Sequence, residues 1–483
     1  METWCKVRGW LRSPTASKAM VIAGIIGFAP AAALLPASQT YPDPTGTLGQ
    51  DNTGGALLTS SNPFFQPLGT NGRSCASCHI PSNGFGLSIS SIQSIFNATN
   101  GTDPLFNKKD GTACPSMPIT TLAQRKNSSA LLLNQGLIRI PHTLQISASL
   151  LQFQITAISD PYGCNTSTNN GLTAWGPGVT PAGVLSVYRR PLPATNLLFN
   201  SSILADNAAA SLAVQASNAT LGHENASVAP TTDQVNAMVS FESGNFTAQL
   251  NDNSAGALNA SGATGGPDPI SGLPFFVGIN DPLKQNPTGA AFNTHVFNIF
   301  DAWTDTTNTS LTPSQRSIGR GQTIFNTRTF NITGVSGLNT NSVHAPKSQA
   351  PVIVGTCGTC HDTPNVGTHS TNEMMNEGTN DVAPVGGLNV SALPIFTLQC
   401  VAGPLTGQTY QTRDPGAATL DGFCRDVGKT KVLGLRGLAS RPPFFHNGSA
   451  PDMATMVNFY NVRFNIGLSQ QDQTDLINFL NAL

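Results

Sequence analysis

The sequence Cys-x-x-Cys-His occurs twice in this chain, at two well-separated places. The first copy begins at Cys75 and the second at Cys357. This spacing is typical of covalent c-type haem attachment, in which two thiols reach the vinyl groups of one porphyrin and the following imidazole binds the iron. The two copies therefore predict two covalently bound c-type haems. The residues expected to hold them are Cys75, Cys78, His79, Cys357, Cys360 and His361.

Cys-x-x-Cys also occurs in zinc sites and in dithiol redox pairs, which are the two alternatives to haem. A zinc site with four cysteine ligands would account for both cysteine pairs. It would not explain why a histidine directly follows each pair. The sequence therefore favours haem.

The length of the chain predicts two domains. A chain of 483 residues is too long for one small hydrophobic core, and one motif falls in each half. We expect a signal peptide over residues 1–40, an N-terminal haem domain with an insertion over 41–310, and a C-terminal haem domain over 311–483. Charged residues make up 10% of the chain and the net charge is -1, so no basic patch predicts a nucleic-acid partner.

The first 40 residues have the pattern of an export signal. A basic segment is followed by an apolar stretch over residues 19–35, and residues 29–31 and 31–33 match the small-residue pattern of a cleavage site. An uncleaved anchor is the alternative. Either way, the body of the protein is predicted to lie outside the cytoplasm, in the periplasm. The basic residues are Lys6, Arg8, Arg12 and Lys18.

Four cysteines remain once the haem motifs and Cys5 of the signal are set aside. An even number in an oxidising compartment predicts two disulfides. The pairing of neighbours along the chain, Cys114 with Cys164 and Cys400 with Cys424, is the arrangement we favour. The spacing alone also permits the two other pairings.

We expect a mainly α fold, with short helices and long irregular connections. Three helix starts are well marked. Thr231 and Gln234 form a capping box, Thr312 precedes a first-turn proline at Pro313, and Ser469 opens a final amphipathic helix.

The haem motifs and three other segments together resemble the bacterial di-haem cytochrome c peroxidase and MauG family. The similarity covers most of residues 60–483, with a divergent stretch at about 97–200 that does not align. The matching segments are NGRSCASCHIPSNGFG, SLAVQASNATLGHENA, QVNAMVSFESGNFTAQ, GTCGTCHDTPNVGTHS and KVLGLRGLASRPPFFHNGSAPDMATMVNFY.

The resemblance implies two cytochrome-c-like haem domains that divide the work. His79 would hold the iron that meets hydrogen peroxide, and His361 the iron that relays electrons from a small cytochrome or cupredoxin. It also implies a calcium ion between the domains, whose ligands are largely backbone carbonyls that sequence does not reveal. A homodimer is a further expectation.

The same resemblance singles out candidates around the relay haem. Tyr460 occupies the place of the family's second axial ligand, which is methionine in the peroxidases and tyrosine in MauG. Met453 and Met456 share a helical face with Tyr460, so either of them is an alternative ligand, and core packing is a third reading of this stripe. Arg436 is expected to bind a haem propionate, or to form a surface salt bridge. His446 is expected to bond a propionate or the backbone.

The acid–base group that peroxide cleavage requires is less clearly marked. Gln215 matches the family's glutamine, but the ungapped match to its catalytic glutamate is Asn225. His223 and Glu224 are therefore the candidates, with a solvated loop as the alternative and His142 as an outside candidate for a distal ligand. The family's inter-haem tryptophan is absent, because residues 205–208 read Ala-Asp-Asn-Ala.

The sequence thus predicts a periplasmic di-haem peroxidase-like oxidoreductase. Peroxide-dependent oxidation of a protein, as in MauG, is a variant that Tyr460 favours. A di-haem electron carrier without peroxide chemistry is the alternative that the missing tryptophan favours. A structural exoprotein would explain the polar composition but not the motifs.

Overall fold

The computed structural model describes residues 34–143, 150–172 and 183–483. Most of the predicted signal peptide, including both cleavage patterns, lies outside the described residues. Within the described ranges, no helix combines the length and apolar character needed to cross a bilayer. Localisation in the periplasm stays a prediction.

Ten α-helices lie within the described part of the chain, and the three marked helix starts are confirmed. Thr231, Thr312 and Ser469 are the N-caps of α6, α7 and α10, and each forms a capping box with the residue three positions on. The helices are α1 (Ile89–Thr99), α2 (Leu122–Ser128), α3 (Ala130–Gln135), α4 (Ser167–Asn170), α5 (Leu212–Gly222), α6 (Thr232–Gly244), α7 (Pro313–Thr327), α8 (Ala418–Asp421), α9 (Met453–Arg463) and α10 (Gln470–Asn481).

The expectation of a mainly α fold is wrong. Only 29% of the structure is helix and 17% is strand, spread over several small sheets. The strands are β1 (Leu34–Leu35), β2 (Ser38–Asp43), β3 (Gly46–Asn52), β4 (Leu57–Leu58), β5 (Ile138–His142), β6 (Phe153–Ser159), β7 (Leu185–Arg189), β8 (Asn245–Asp252), β9 (Gly256–Ala257), β10 (Phe330–Thr333), β11 (Val352–Gly355), β12 (Ile395–Cys400) and β13 (Thr409–Thr412).

These strands form five sheets in the described residues. The largest has the order β2-β3-β8-β9, another has β13-β12-β6, and three are simple pairs, β1-β4, β5-β7 and β10-β11. The strands were missed because most are short and polar on one face. In β12, for example, Phe396, Leu398 and Cys400 are buried while the residues between them are half-buried, which is the alternation of a one-sided strand.

The divergent stretch that the family resemblance does not cover is built into the rest of the molecule. Its strand β6 pairs antiparallel with β12, so that Phe153 lies opposite Cys400. Both favoured disulfides are confirmed, since Cys114 bonds to Cys164 and Cys400 bonds to Cys424. The stretch is therefore closed by a disulfide of its own and joined to the C-terminal half by a shared sheet.

The largest hydrophobic core forms where α7 and α10 cross. Phe325 on α7 and Phe479 on α10 pack with Phe297, which comes from the segment before α7. A smaller core beside the first motif contains Phe64, Phe85 and other aromatic residues. The division into domains at residue 310 stays a prediction.

Candidate functional site

One cavity is lined by both Cys-x-x-Cys-His motifs. Its volume is about 430 Å³, and apolar side chains and several buried charged ones form its wall. Twelve of the site candidates named above reach this cavity, although their individual roles stay predictions. They are Cys75, Cys78, His79, Gln215, His223, Glu224, Cys357, Cys360, His361, Arg436, His446 and Tyr460.

Each motif begins with a tight 3₁₀ turn that a hydroxyl group stabilises. Ser77 Oγ accepts a hydrogen bond from the backbone N–H of Ser74 at 3.1 Å, and Thr359 Oγ1 accepts from Thr356 N–H at 3.0 Å. In both copies the residue directly before the second cysteine carries this hydroxyl group and stabilises the turn in the same way. This turn brings the four motif cysteines to the cavity, and none of them is in a disulfide.

The two motif histidines are held in the same way. His79 Nδ1 lies 3.0 Å from the carbonyl oxygen of Phe85, and His361 Nδ1 lies 2.6 Å from that of Gly367. A carbonyl can only accept, so Nδ1 carries the proton and the lone pair is on Nε2. Burial lowers the pKa of each imidazole to about 4. Both are neutral at pH 7 with Nε2 able to bind a metal, which is the usual state of a ligating histidine.

Two arginines in the cavity wall, Arg436 and Arg190, have buried nitrogen atoms without hydrogen-bond partners. Arg436 donates a hydrogen bond from Nη2 to Gly266 O at 2.9 Å, but its Nε and Nη1 have no hydrogen-bond partner. Nε of Arg190 has no partner either. Burial lowers the pKa of both guanidinium groups to about 9. Buried cations of this kind require an anion. The two propionates of a haem would supply carboxylates of the right charge.

The remaining features of the cavity also fit haem. Burial raises the pKa of Cys78 to about 11 and of Cys357 to about 12, so both thiols keep the proton that thioether formation with a porphyrin vinyl group uses. Four free thiols, two neutral histidines with oriented rings and two unpaired arginines are together the set that two covalent haems need. The residues present therefore fit the predicted cofactor. The predicted calcium stays a prediction.

Tyr460 lies in the wall near the second motif. Burial raises the pKa of its phenol well above the ordinary value, and nearby Glu377 raises it further. Met456 also lines the cavity, as does Met375, which sequence reasoning missed. Met453 is buried in the main hydrophobic core instead. Two methionines therefore line the cavity, one on α9 and one outside it.

His446 is buried in the cavity wall and bonds a side chain. Its Nε2 lies 2.9 Å from Asn380 Oδ1, and burial lowers the pKa of its imidazole to about 4. Nε2 therefore bonds a side chain and does not make the predicted bond to the backbone. A bond from its ring to a propionate stays a prediction.

Helix α5 lines the cavity with one face, through Leu212, Gln215 and Ala219, and His223 follows at its C-cap. The side chain of His223 is 43% exposed, and its Nδ1 lies 2.5 Å from Asp110 Oδ2.

Asp110 is buried and also pairs with Arg73. Burial raises the pKa of Asp110, but the hydrogen bond from His223 and the charge of Arg73 outweigh that effect and hold it below its ordinary value. Asp110 is thus a carboxylate that orients the His223 ring.

Glu224 is directed towards the first motif rather than into open space. Its Oε2 accepts a hydrogen bond from Leu68 N–H at 2.9 Å, and its Oε1 lies 3.6 Å from Cys75 Sγ. Burial raises the pKa of this carboxyl group. Because both oxygens already have neighbours, Glu224 is less free than His223 to exchange a proton with a molecule in the cavity.

Glu242 is a cavity residue that the sequence reasoning missed. It lies on the buried face of α6 with Met238 and Phe241, and its Oε2 has no hydrogen-bond partner. Burial raises the pKa of its carboxyl group to about 8. A carboxylate at i+4 from a buried methionine, on the apolar face of a helix, is the signal that would have found it.

The segment in place of the family's inter-haem tryptophan carries an ion pair. Asp206 lines the cavity, is buried and pairs with Arg189. His142 Nε2 lies 3.5 Å from Asp206 Oδ2 without the alignment of a hydrogen bond, and no other partner reaches it. Among the described residues the one tryptophan is Trp303, which stacks on Phe300 in the main core and does not line the cavity.

Comparison with known proteins gives little support. No family model matches the chain, and no curated protein is similar enough to count as a relative. One solved structure that it is similar to is described as a MauG-like protein associated with microbial copper homeostasis. The two chains are 12% identical, the match covers 87% of each, and the TM-score is 0.38. A TM-score of this size does not establish a common fold.

Proposed function

We propose that the chain is a di-haem c-type oxidoreductase of the peroxidase kind. Cys75, Cys78 and His79 would hold one haem, and the second motif would hold the other. The observation that supports this most is the single cavity that both motifs line, with each motif histidine fixed through Nδ1 to a backbone carbonyl. Arg436 and Arg190 would bind propionates.

The proposed reaction is the reduction of hydrogen peroxide to two water molecules by two electrons and two protons. Bound haem would supply iron centres that accept electrons one at a time and pass them to peroxide. A small cytochrome or cupredoxin in the periplasm would supply those electrons. A homodimer is part of the same proposal.

His223 is the residue best arranged to move the proton. Since Asp110 occupies Nδ1, exchange with a molecule in the cavity would take place at Nε2. The buried carboxylate would stabilise the imidazolium that forms when Nε2 takes up a proton. His142 is the second candidate, because its Nε2 reaches the cavity wall without a hydrogen-bond partner.

Tyr460 favours a second candidate function, the peroxide-dependent oxidation of a protein. A phenolate ligand lowers the potential of a haem iron and so favours its higher oxidation states. The position of Tyr460 in the wall of the cavity that both motifs line supports that role. A di-haem electron carrier is the remaining alternative.

The haem assignment is tested by counting haem in the purified protein. We expect two haems per chain by the pyridine haemochrome assay, and one in the double variant Cys75→Ser/Cys78→Ser. The matched control is Cys400→Ser/Cys424→Ser, which removes two other cysteines and a disulfide but should retain both haems. A protein without covalent haem would refute the proposal.

The activity is tested by turnover of peroxide with a reduced cytochrome or cupredoxin. We expect His223→Ala to lower kcat by 10²-fold or more, the usual contribution of an acid–base group. His295→Ala is the control, because His295 lies in an exposed pair with Asp301. If His142→Ala abolishes turnover and His223→Ala does not, the acid–base assignment moves to His142. Two haems without any peroxide turnover would favour the carrier.

A further inference from the structure

Three potential metal ligands meet outside the cavity. Asp281, Asp362 and His369 are 2%, 0% and 3% exposed, and one ligand atom from each lies within 4.8 Å of the others. None of the three lines the haem cavity. Two carboxylates and an imidazole are thus buried together at a place that the proposed function does not use.

Two atoms in this cluster have no hydrogen-bond partner. These are Asp281 Oδ1 and His369 Nδ1. Nδ1 lies 3.2 Å from Asp362 Oδ2, but the two are not aligned as a hydrogen bond. An unpaired carboxylate oxygen beside an unpaired imidazole nitrogen, both buried, is costly unless a cation lies between them.

The other atoms of the three side chains are already bound, which fixes the orientation of the groups. Asp281 Oδ2 accepts from Gln285 N–H at 2.8 Å, and Asp362 Oδ1 accepts from Ser370 N–H at 2.6 Å. His369 Nε2 lies 3.0 Å from a threonine hydroxyl. Carboxylate and imidazole groups supported in this way are typical of prepared metal ligands.

An ion pair between protonated His369 and Asp362 is the competing explanation. It would account for one carboxylate but would leave Asp281 Oδ1 without a donor. Ligands 2.0–2.2 Å from a tetrahedral zinc ion lie roughly 3.3–3.6 Å apart. The distance of 3.2 Å between His369 Nδ1 and Asp362 Oδ2 is close to that range.

We propose that Asp281, Asp362 and His369 bind a first-row divalent transition-metal ion, with Zn²⁺ as its representative. The imidazole nitrogen favours this class over Mg²⁺ and Ca²⁺, which prefer sites made of oxygen alone. Three protein ligands leave a fourth position for water. The imidazole ligand distinguishes this site from the predicted calcium site, whose ligands are expected to be largely backbone carbonyls.

The position of the site suggests what the ion does. Asp362 directly follows His361, and His369 lies two residues after Gly367, whose carbonyl accepts from His361 Nδ1. Asn280, next to Asp281, donates from Nδ2 to Asp362 O at 3.0 Å. The ion therefore clamps both ends of the segment that orients the second motif histidine.

The test uses the tag-free, full-length protein as purified. We expect elemental analysis to find about one non-iron transition metal per chain, or Zn²⁺ added after chelation to bind with 1:1 stoichiometry in calorimetry. Zn²⁺ should also raise the Tm of the chelator-treated protein. Asp281→Asn should weaken binding at least tenfold and abolish the Tm shift, whereas the control His295→Gln should retain both.

Three results would overturn the proposal. One is the absence of Zn²⁺, Mn²⁺ and Ca²⁺ binding by the chelator-treated wild-type protein, which leaves an ion pair only. The second is binding of Ca²⁺ that Zn²⁺ does not displace, and the third is Zn²⁺ binding that Asp281→Asn leaves unchanged. Since the wild-type measurements need no variant, a misfolded variant does not decide the matter. Because the metal is counted apart from haem iron, the result is independent of peroxidase activity.

Discussion

Arg189 binds Asp414 through two parallel hydrogen bonds, from Nε to Oδ2 at 2.6 Å and from Nη2 to Oδ1 at 2.9 Å. Both side chains are almost completely buried. Arg189 belongs to the divergent stretch and Asp414 to the C-terminal half. This bidentate pair, to which Asp206 adds a third contact, therefore joins parts of the chain that are distant in sequence.

Removing the charge of Asp414 should destabilise the protein strongly. Asp414→Asn leaves a buried guanidinium short of a partner, and we expect a loss of about 3–5 kcal/mol in the free energy of unfolding, measured in urea. The control is Arg328→Gln, which breaks the more exposed pair of Arg328 and Asp472 and should cost less than about 1 kcal/mol. Equal losses in both variants would contradict a special role for the buried pair.

Glu242 should make stability fall as the pH rises. Because burial raises the pKa of its carboxyl group from 4.5 to about 8, the folded protein holds a proton between those pH values that the unfolded chain has released. The contribution of Glu242 to stability is thus fully present below about pH 4.5 and is lost as the pH rises to about 8. We expect Glu242→Gln to lessen this decline by on the order of 2–4 kcal/mol.

The measurement is urea unfolding at several pH values between 5 and 8. Asp233→Asn is the matched control, because Asp233 lies in the first turn of the same helix but is exposed, and the decline with pH should persist there. An unchanged pH profile in Glu242→Gln would show that another group titrates.

Tyr460→Phe should change the absorption spectrum and the potential of one haem. In the proposed role of Tyr460 as an iron ligand, loss of the phenol oxygen would remove that ligand, and we expect the potential of that haem to rise. Met456→Leu should leave the spectrum unchanged, and Tyr410→Phe, a half-buried tyrosine on β13, controls for loss of a phenol elsewhere. A change in Met456→Leu with none in Tyr460→Phe would transfer the role to sulfur.

Gly321 allows α7 and α10 to pack closely. A Cβ atom at this position would lie 2.0 Å from Asp475 O and 2.6 Å from Phe479 Cβ, so the helices would have to separate. We expect Gly321→Ala to destabilise the protein by at least about 1–3 kcal/mol in thermal or urea unfolding.

The matched control for Gly321 is Gly222→Ala at the end of α5. A Cβ atom there would meet no atom within 4 Å, so the better helix propensity of alanine should be neutral or add up to about 1 kcal/mol. A tolerated Gly321→Ala would mean that the helix crossing is looser than described.

Features that depend on neighbouring residues were predictable from the sequence. The capping boxes at Thr231, Thr312 and Ser469 are complete within four residues each. Both disulfides join cysteines that follow one another along the chain once the motif cysteines are set aside. Strand β12 was not predictable in the same way. It pairs on one side with nearby β13, but its other partner is β6, which lies far away in the chain.

The site was predictable in part for the same reason. The two motifs and the candidates near them could be named from spacing and resemblance. Arg190 lies in the stretch that does not align, and nothing around it in the sequence indicates that its guanidinium lies at the cavity. Asp281 becomes a neighbour of Asp362 and His369 only through tertiary folding, so the sequence carries no pattern for that cluster.

Strand β6 fills one edge of β12, although it comes from the other half of the chain. Expressing residues 311–483 alone would remove this partner strand. The six residues of β12 would then have an unpaired edge that can form backbone hydrogen bonds with any other extended chain. A separately produced C-terminal half should therefore aggregate. The two motifs are better regarded as parts of one folding unit than as domains that can be exchanged between proteins.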